Sequence, residues 1–374
     1  MTQTIKNKPS RISLFVALEL SASTWKIGLS SGVAVRVRTI DAGNITAMLG
    51  EIEQARDRAG VLTADVVICY EAGRDGFWIY RLLASQGLRC VVVDASSIQI
   101  DRRARQRKTD RIDVTKLCTQ LSRWYGGDED AMGVTVIPSE DEEDARRRER
   151  ELACLKDERA RHSARIKGLL ALHGVSFSPD QRVHEELGVE DIRQWDGTPL
   201  PVNLAAEVCR ELERLALTEK QVRALEAARR SDVKANETKA AEKVTTLTRL
   251  RGVAQGSAWT LVLEAFAWRT FENRRQLAAY AGLDPTPFAS GETDRGPGIS
   301  KAGNARIRTM MVEVAWSWLR FQPGSALSQW FNARFAEGKR TRRVGIVALA
   351  RKLLIALWRY VEHGVLPDGA LIKE

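Results

Sequence analysis

Residues 12–39 read ISLFVALELSASTWKIGLSSGVAVRVRT. Three apolar, β-branched runs stand here: ISLFVALEL (12–20), STWKIGLS (23–30) and GVAVRVRT (32–39). Ser-Ser-Gly between the second and third is a hairpin signal, so the chain opens with antiparallel strands. A helix-period segment, ITAMLGEIEQARDRAG (45–60), follows and ends on Gly60. Next come the strand ADVVICYE (64–71), the helix FWIYRLLASQG (77–87), the strand LRCVVVD (88–94) and a helix entered near Ala95. Antiparallel strands followed by βαβ alternation predict a mixed sheet with helices on its faces, in the β-β-β-α-β-α-β-α order of ribonuclease-H-like domains. No G-x-G-x-x-G follows the first strand, which disfavours a dinucleotide-binding fold.

Beyond this sheet the composition changes. The stretch 141–174 is long, free of proline, acidic at its start and closed by Gly174, as a helix dipole prefers. A second helical stretch, 203–243, carries Leu204, Val208, Leu212, Leu215, Val222 and Leu225 at three- and four-residue spacings. The two predict an antiparallel arm or coiled coil with a Pro- and Gly-containing tip at 175–202. In LTRLRGVAQGSAWTLVLEA (247–265) a Gly-containing turn joins two helical segments. It reads either as a helix-hairpin-helix, whose turn amides could meet a DNA phosphate, or as a plain αα-hairpin. A Gly/Pro/Ser-rich stretch (282–303) and helices around 304–321 and 344–362 complete the chain. The expected domains are therefore an α/β unit at 1–125, a helical arm at 126–245 and a mainly helical unit at 246–374.

The 374 residues carry 58 Lys plus Arg and 48 Asp plus Glu, a formal net charge of +10. That charge is unevenly placed. Residues 1–125 hold 19 basic and 12 acidic side chains, 126–245 hold 20 and 26, and 246–374 hold 19 and 10. Two basic blocks flanking an acidic one point to a polyanionic partner, most simply nucleic acid. No apolar run reaches the roughly 18 residues of a membrane span, and MTQTIKNKPSR at the N-terminus lacks a signal-peptide core. Five scattered cysteines without a C-x-x-C pair favour reduced thiols in a cytoplasmic protein and offer no zinc motif. The four histidines show no metal spacing. Trp316 and Trp318 on an apolar helix read as core or interface.

Four acids stand where a ribonuclease-H-like fold would gather them. Glu19 ends the first strand and Glu71 the fourth, while Asp110 and Asp113 lie three apart in RKTDRID. An i, i+3 spacing sets both aspartates on one helix face. Hard oxygen donors of this kind suit Mg²⁺ or Mn²⁺, and two such ions would stabilise both oxygens of a phosphodiester displacement. Immediately before Asp110, RRARQRK supplies Arg102, Arg103, Arg105, Arg107 and Lys108, a density that attracts phosphates. Each acid alone is ordinarily a solvated surface group; the chemistry is carried by the set.

These features resemble the DEDD transposases of bacterial insertion sequences, whose N-terminal domain is similar to the Holliday-junction resolvase RuvC. The resemblance spans nearly the whole chain. It is carried by CYEAGRDGFWIYRLLASQGLRCVVVDASSI (69–98), KTDRIDVTKL (108–117), LRGVAQGSAWTLVLEAFAWRTFENRRQLAAYAGLDPTPFASG (250–291) and GISKAGNARIRTMMVEVAWSWLRFQP (298–323). It implies that Glu71, Asp110 and Asp113 are the second to fourth acids of the set. The first is usually Asp and is Glu19 here, one methylene longer. It further implies that Ser290, in FASGETDRG, is a nucleophile that links to DNA across domains. Arg295, Lys301, Arg306 and Arg308 would then hold neighbouring phosphates. The same resemblance implies donor and target DNA as substrates and a non-coding bridge RNA as guide. A homo-oligomer is expected, through helical segments such as 141–174, because exchange between two DNA ends needs more than one active site. Two other functions fit the residues alone. One is a RuvC-like structure-specific endonuclease that uses water; the other is a non-catalytic nucleic-acid-binding protein.

Overall fold

The computed structural model describes residues 13–32, 34–94, 110–177, 191–285, 288–290, 293–295, 298–335 and 337–373. The helix expected near Ala95 and the basic run 102–108 lie outside them. The chain divides into two compact units, Met1–Ile137 and Pro138–Glu374. The arm predicted as a middle domain falls, from Pro138 on, within the second unit.

In the first unit, β1 (Leu14–Leu20), β2 (Thr24–Ser30), β3 (Arg36–Asp41), β4 (Val66–Glu71) and β5 (Arg89–Val93) form one sheet in the order β3-β2-β1-β4-β5. The first three are antiparallel; β4 and β5 run parallel to β1. Both faces are covered, so β1 and β4 are apolar at nearly every position rather than alternating. Leu14, Val16, Leu18, Ile68 and Tyr70 pack with α1 (Ile45–Ala59) and α2 (Trp78–Ser85). Phe15, Ala17, Val67 and Cys69 face α3 (Asp110–Tyr125). Gly28 lets α3 come close, because a Cβ there would stand 3.2 Å from both Val114 Cγ2 and the Val114 carbonyl. The α1 stop at Gly60 is as expected, with a left-handed cap that only glycine adopts readily.

The second unit is mostly helical. Its first helix, α4 (Glu140–Ala171), starts from a capping box in which Ser139 and Glu142 satisfy each other's backbone amides. Its partner α5 (Val202–Ala235) runs antiparallel: Lys156 meets Glu226, and Arg165 meets Glu211. Val208, Leu215 and Val222 are buried in the seam, as their spacing predicts. The stretch 203–243 is nevertheless two helices, not one. Asn236 takes φ 52 and closes α5, and the Thr238 hydroxyl caps a new helix, α6 (Lys239–Thr248).

Then follow α7 (Gln255–Leu261), which continues as a π-helical turn Val262–Phe266, and α8 (Arg274–Tyr280). The turn between α6 and α7 is sewn to the C-terminal segment: the Arg251 amide donates to the Leu371 carbonyl, and the Gln322 amide nitrogen to the Arg251 carbonyl. A short hairpin, β6 (Phe288–Ser290) and β7 (Thr293–Arg295), precedes α9 (Ala305–Phe321), α10 (Ala326–Phe335) and α11 (Lys339–His363). Sequence periodicity missed the ten-residue α10 and began α11 five residues late, because the first turn of α11, KRTRR, carries no apolar signal. Trp318 is fully buried, whereas Trp316 is not. No described helix is long and apolar enough to cross a membrane. All five cysteines are free, and burial pushes the Cys90 and Cys118 thiols up to about 12.

Among the described residues, Glu211 is the most deeply buried charged residue of the arm. Glu211 accepts from His162 Nδ1 at 2.7 Å, from Arg165 at 2.8 Å and from Arg214 at 2.5 Å. Burial would raise its pKa, but these three donors outweigh that and hold it down at about 2. A carboxyl lowered on folding stabilises fully above its unfolded pKa of roughly 4.3, and loses that contribution as pH falls toward the folded value. Thermal unfolding followed by circular dichroism should therefore show wild type losing stability from pH 5 to pH 2.5 more steeply than Glu211→Gln. Parallel pH profiles would contradict the assignment.

Candidate functional site

The strand register places the first two acids. Leu18 pairs with Tyr70 across the parallel β1–β4 ladder, so Glu19 and Glu71 are the next residues on adjacent strands. Ala17 and Cys69, two residues earlier, face α3, and the period of two sets Glu19 and Glu71 on that same side. Adjacent strands lie about 4.8 Å apart, so two carboxylates stand near one another at the C-terminal edge of the sheet. Glu71 is exposed and Glu19 half-buried. Like charges so placed repel unless a cation neutralises them.

Helix α3 brings the third and fourth. Tyr125, its last residue, stacks edge-on with Phe15 at 5.6 Å and receives a hydrogen bond from Arg89, near the N-terminal ends of β1 and β5. Val114, in its second turn, sits over Gly28, which pairs with Ala17. The helix therefore runs antiparallel to β1, and its N-terminus lies toward the edge that carries Glu19 and Glu71. Asp113 precedes Val114 directly and Asp110 is the first helical residue. The Asp110 side chain lies outside the described residues. Among the described residues no three His, Cys, Asp or Glu side chains are drawn together into a ready metal cage. The donor chemistry still fits Mg²⁺: all four residue types offer carboxylate oxygens, and the backbone brings Glu19, Glu71 and Asp113 toward one sheet edge.

In the second unit, Ser290 is the last residue of β6 and pairs with Thr293 of β7. It thus stands beside the tip of a tight hairpin; its side chain and that of Arg295 lie outside the described residues. The root of the hairpin is held firmly. Pro285 bridges Ile299, the Ser300 hydroxyl donates to Asp284 Oδ1 at 2.5 Å, and the Asn304 amide donates to the Tyr280 carbonyl at 2.7 Å. Two glycines make this approach possible. A Cβ on Gly282 (φ +64) would lie 2.1 Å from the Ala302 carbonyl, and one on Gly303 (φ +103) 2.5 Å from that of Tyr280.

The predicted phosphate contacts differ among themselves. Arg306 and Lys301 are exposed, and Lys301 holds a positive φ of 57°. Arg308 instead ties the root together, one guanidinium nitrogen donating to the carbonyls of Lys301 at 3.0 Å and Ala281 at 3.3 Å.

Sequence reading passed over the buried network beneath this hairpin. Glu264, in the π-helical turn, accepts a two-pronged pair from Arg150 at 2.9 and 3.0 Å and a third bond from Asn304 at 3.0 Å. Burial opposes its charge, and the Arg150 guanidinium and Asn304 more than compensate, so its carboxyl is lowered. Asn304 also caps α9 through the Arg306 and Ile307 amides. A single acid inside the apolar run LVLEAF is the signal that could have flagged Glu264; its partner, 114 residues earlier, is not visible in sequence.

A scan of family models matches residues 244–329 to the Transposase IS116/IS110/IS902 family. This stretch includes the hairpin, both glycines, Glu264 and Asn304, but not Arg150. The provisionally named transposase y4rJ of Sinorhizobium fredii is 41 % identical over 376 residues, covering 96 % of this chain and 95 % of that protein. A second S. fredii protein, provisionally named transposase y4qE, is 31 % identical over 282 residues, 75 % of this chain and 65 % of its own. The uncharacterized 43.6 kDa protein of insertion element IS110 from Streptomyces coelicolor is 27 % identical over 125 residues, 33 % and 30 % of the two chains. The chain belongs to the IS116/IS110/IS902 transposase family.

Proposed function

We propose that this chain is a DNA recombinase of an insertion sequence, with a ribonuclease-H-like first unit that uses Mg²⁺ or Mn²⁺ and a serine nucleophile in the second. The observation that carries the reading is the register of β1 and β4 with the direction of α3. These elements direct Glu19, Glu71 and the helix start that bears Asp113 toward one sheet edge, and the backbone of Asp110 stands at that same helix start. Glu19, Glu71, Asp110 and Asp113 would hold the metal. When bound, it would polarise the scissile phosphate and stabilise the attacking and departing oxygens. Ser290 Oγ forms a bond to phosphorus while the bridging oxygen of the cut strand leaves, the serine proton passing through water to that departing oxygen. Attack by the hydroxyl of another strand then releases Ser290 and rejoins the DNA. Exposed cations such as Arg306 and Lys301 neutralise adjoining phosphates, with Arg295 and the run Arg102, Arg103, Arg105, Arg107 and Lys108 in the same role. The proposal includes a non-coding RNA that selects the DNA by pairing, and more than one copy of the chain, because joining two ends requires more than one serine.

Glu19 offers the sharpest test, because it stands where the resembling family has Asp. Strand cleavage of DNA carrying the ends of the element should require Mg²⁺ or Mn²⁺. Glu19→Asp should retain it within about tenfold, and Glu19→Ala should lose at least 100-fold, the range expected when metal-held charge stabilisation of several kcal/mol is removed. An inactive wild type that gains cleavage as Glu19→Asp would instead support a degenerate site and a binding-only protein. Equal cleavage by all three would overturn the metal assignment.

A further inference from the structure

Residues 305–363 hold eleven Lys or Arg and three acids, Glu313, Glu337 and Glu362, the last paired with Lys243. They form α9, α10 and α11, which pack together around Trp318, Phe331 and Leu353. Of the ten cations whose side chains are described, none forms an ion pair among the described residues. The arm helices α4 and α5 pair theirs repeatedly, through Lys156–Glu226, Arg165–Glu211 and Arg229–Glu149. Concentrated like charge costs stability by self-repulsion, so a polyanion is the complement this face lacks.

Four of these cations lie on aromatic rings instead. Arg342 sits 5.9 Å from the Trp316 ring and 5.5 Å from Phe331, and Arg320 is 5.3 Å from Phe321. Arg334 and Lys352 flank Trp330 at 5.4 and 4.7 Å. Two of the rings remain open to solvent, Trp316 at 42 % and Phe321 at 49 %. Trp316 and Arg320 are four residues apart on α9 and share a face. Arg340 and Arg343 project from the first turns of α11, both exposed. A duplex needs only the cations, because its bases are stacked on each other. Exposed rings flanked by guanidinium groups match unpaired bases, which stack on aromatic faces while their phosphates meet the charges.

We propose that the α9–α10–α11 face is a docking surface for single-stranded DNA, with Trp316 as the stacking platform and Arg340 and Arg343 as phosphate contacts. The choice of DNA rests on the recombinase reading, in which strands are unpaired during exchange; neither Ser290 nor any of the four carboxylates is among the residues that form the surface.

Fluorescence anisotropy of the full-length protein with labelled dT20, a 20-bp duplex and rU20 tests it without any catalysis. Trp316→Ala should weaken dT20 binding by roughly 5- to 100-fold, the effect of losing one stacked base. The double variant Arg340→Gln/Arg343→Gln should weaken it by about tenfold and lower the slope of log affinity against log salt by about 1.4, two single-strand phosphate contacts. Duplex binding by Trp316→Ala should stay within twofold, and thermal unfolding of both variants should match wild type, since these side chains are exposed. Unchanged dT20 affinity in both variants overturns the proposal. So does a loss confined to the duplex, or one confined to rU20, which would assign the face to RNA. Failure of cleavage in the Glu19 series with these binding losses intact would strike the recombinase chemistry and leave the surface standing.

Discussion

Glu71→Gln should abolish metal-dependent strand cleavage while leaving the fold untouched. The residue ends β4, is exposed, and stands beside Glu19 on the neighbouring strand. Glutamine keeps the shape and removes the charge that a cation would need. Loss of several kcal/mol of charge stabilisation corresponds to about 100- to 1,000-fold in rate. Exposed substitutions of this kind change stability by no more than about 0.5 kcal/mol, and relief of repulsion with Glu19 works in the same direction. Single-turnover cleavage in Mg²⁺ beside a thermal melt checks both halves. Cleavage within threefold of wild type would remove Glu71 from the metal site.

The second large effect is structural. Gly303→Ala places a methyl 2.5 Å from the Tyr280 carbonyl and 2.8 Å from that of Ala279, at φ +103. Both neighbours are backbone, so nothing can rotate aside, and L side chains rarely adopt that φ. Gly298→Ala is the matched control: φ is +105, and among the described residues no atom lies within 4 Å of the added carbon. The conformational cost is common to both; the clash belongs to Gly303 alone. The expected loss for Gly303→Ala is roughly 3 kcal/mol or more, which lowers Tm by about 6–12 °C in a unit of this size. The control should lose clearly less. Seven of the ten tryptophans lie in the second unit, so intrinsic fluorescence follows its unfolding. Equal melting of the two variants would show that the hairpin root tolerates separation.

The first unit was largely legible. Its five strands and their flanking helices were readable because each is a short apolar run bounded by a turn residue, as VVICYE is by Ala72-Gly73. Glu71 could be placed at a strand end for the same reason. What the residues could not supply was the pairing of Leu18 with Tyr70, which turns two separate acids into neighbours; register is a property of the assembled sheet. The second unit was harder. Asn236 and Thr238 break a pattern that looks continuously helical, since a left-handed residue followed by a capping hydroxyl leaves the apolar spacing unchanged. The β6–β7 hairpin has three-residue strands, too short for alternation to register. Gly282 and Gly303 read as loop glycines until the carbonyls that crowd them are known. The bond from Arg150 to Glu264 joins the arm to the π-helical turn across a distance in sequence that no local pattern spans.

The overall charge acquires a location as well. The C-terminal block carries the largest excess of positive charge, and α9, α10 and α11 hold most of it in cations that form no ion pair among the described residues. The acidic middle block is the arm, where carboxylates such as Glu211 and Glu226 are consumed by neighbouring cations.

The central claim joins Ser290 to the carboxylate edge in one reaction. The direct measurement is a covalent adduct: protein incubated with radiolabelled DNA carrying the element's ends and Mg²⁺, denatured, resolved by gel, and digested for peptide mass analysis. Wild type should yield a nucleotide-modified peptide containing Ser290, while Ser290→Ala and Glu71→Gln should yield none. Strand cleavage by Ser290→Ala at the wild-type rate, with no adduct in either protein, would contradict the account and leave a water-using nuclease in its place.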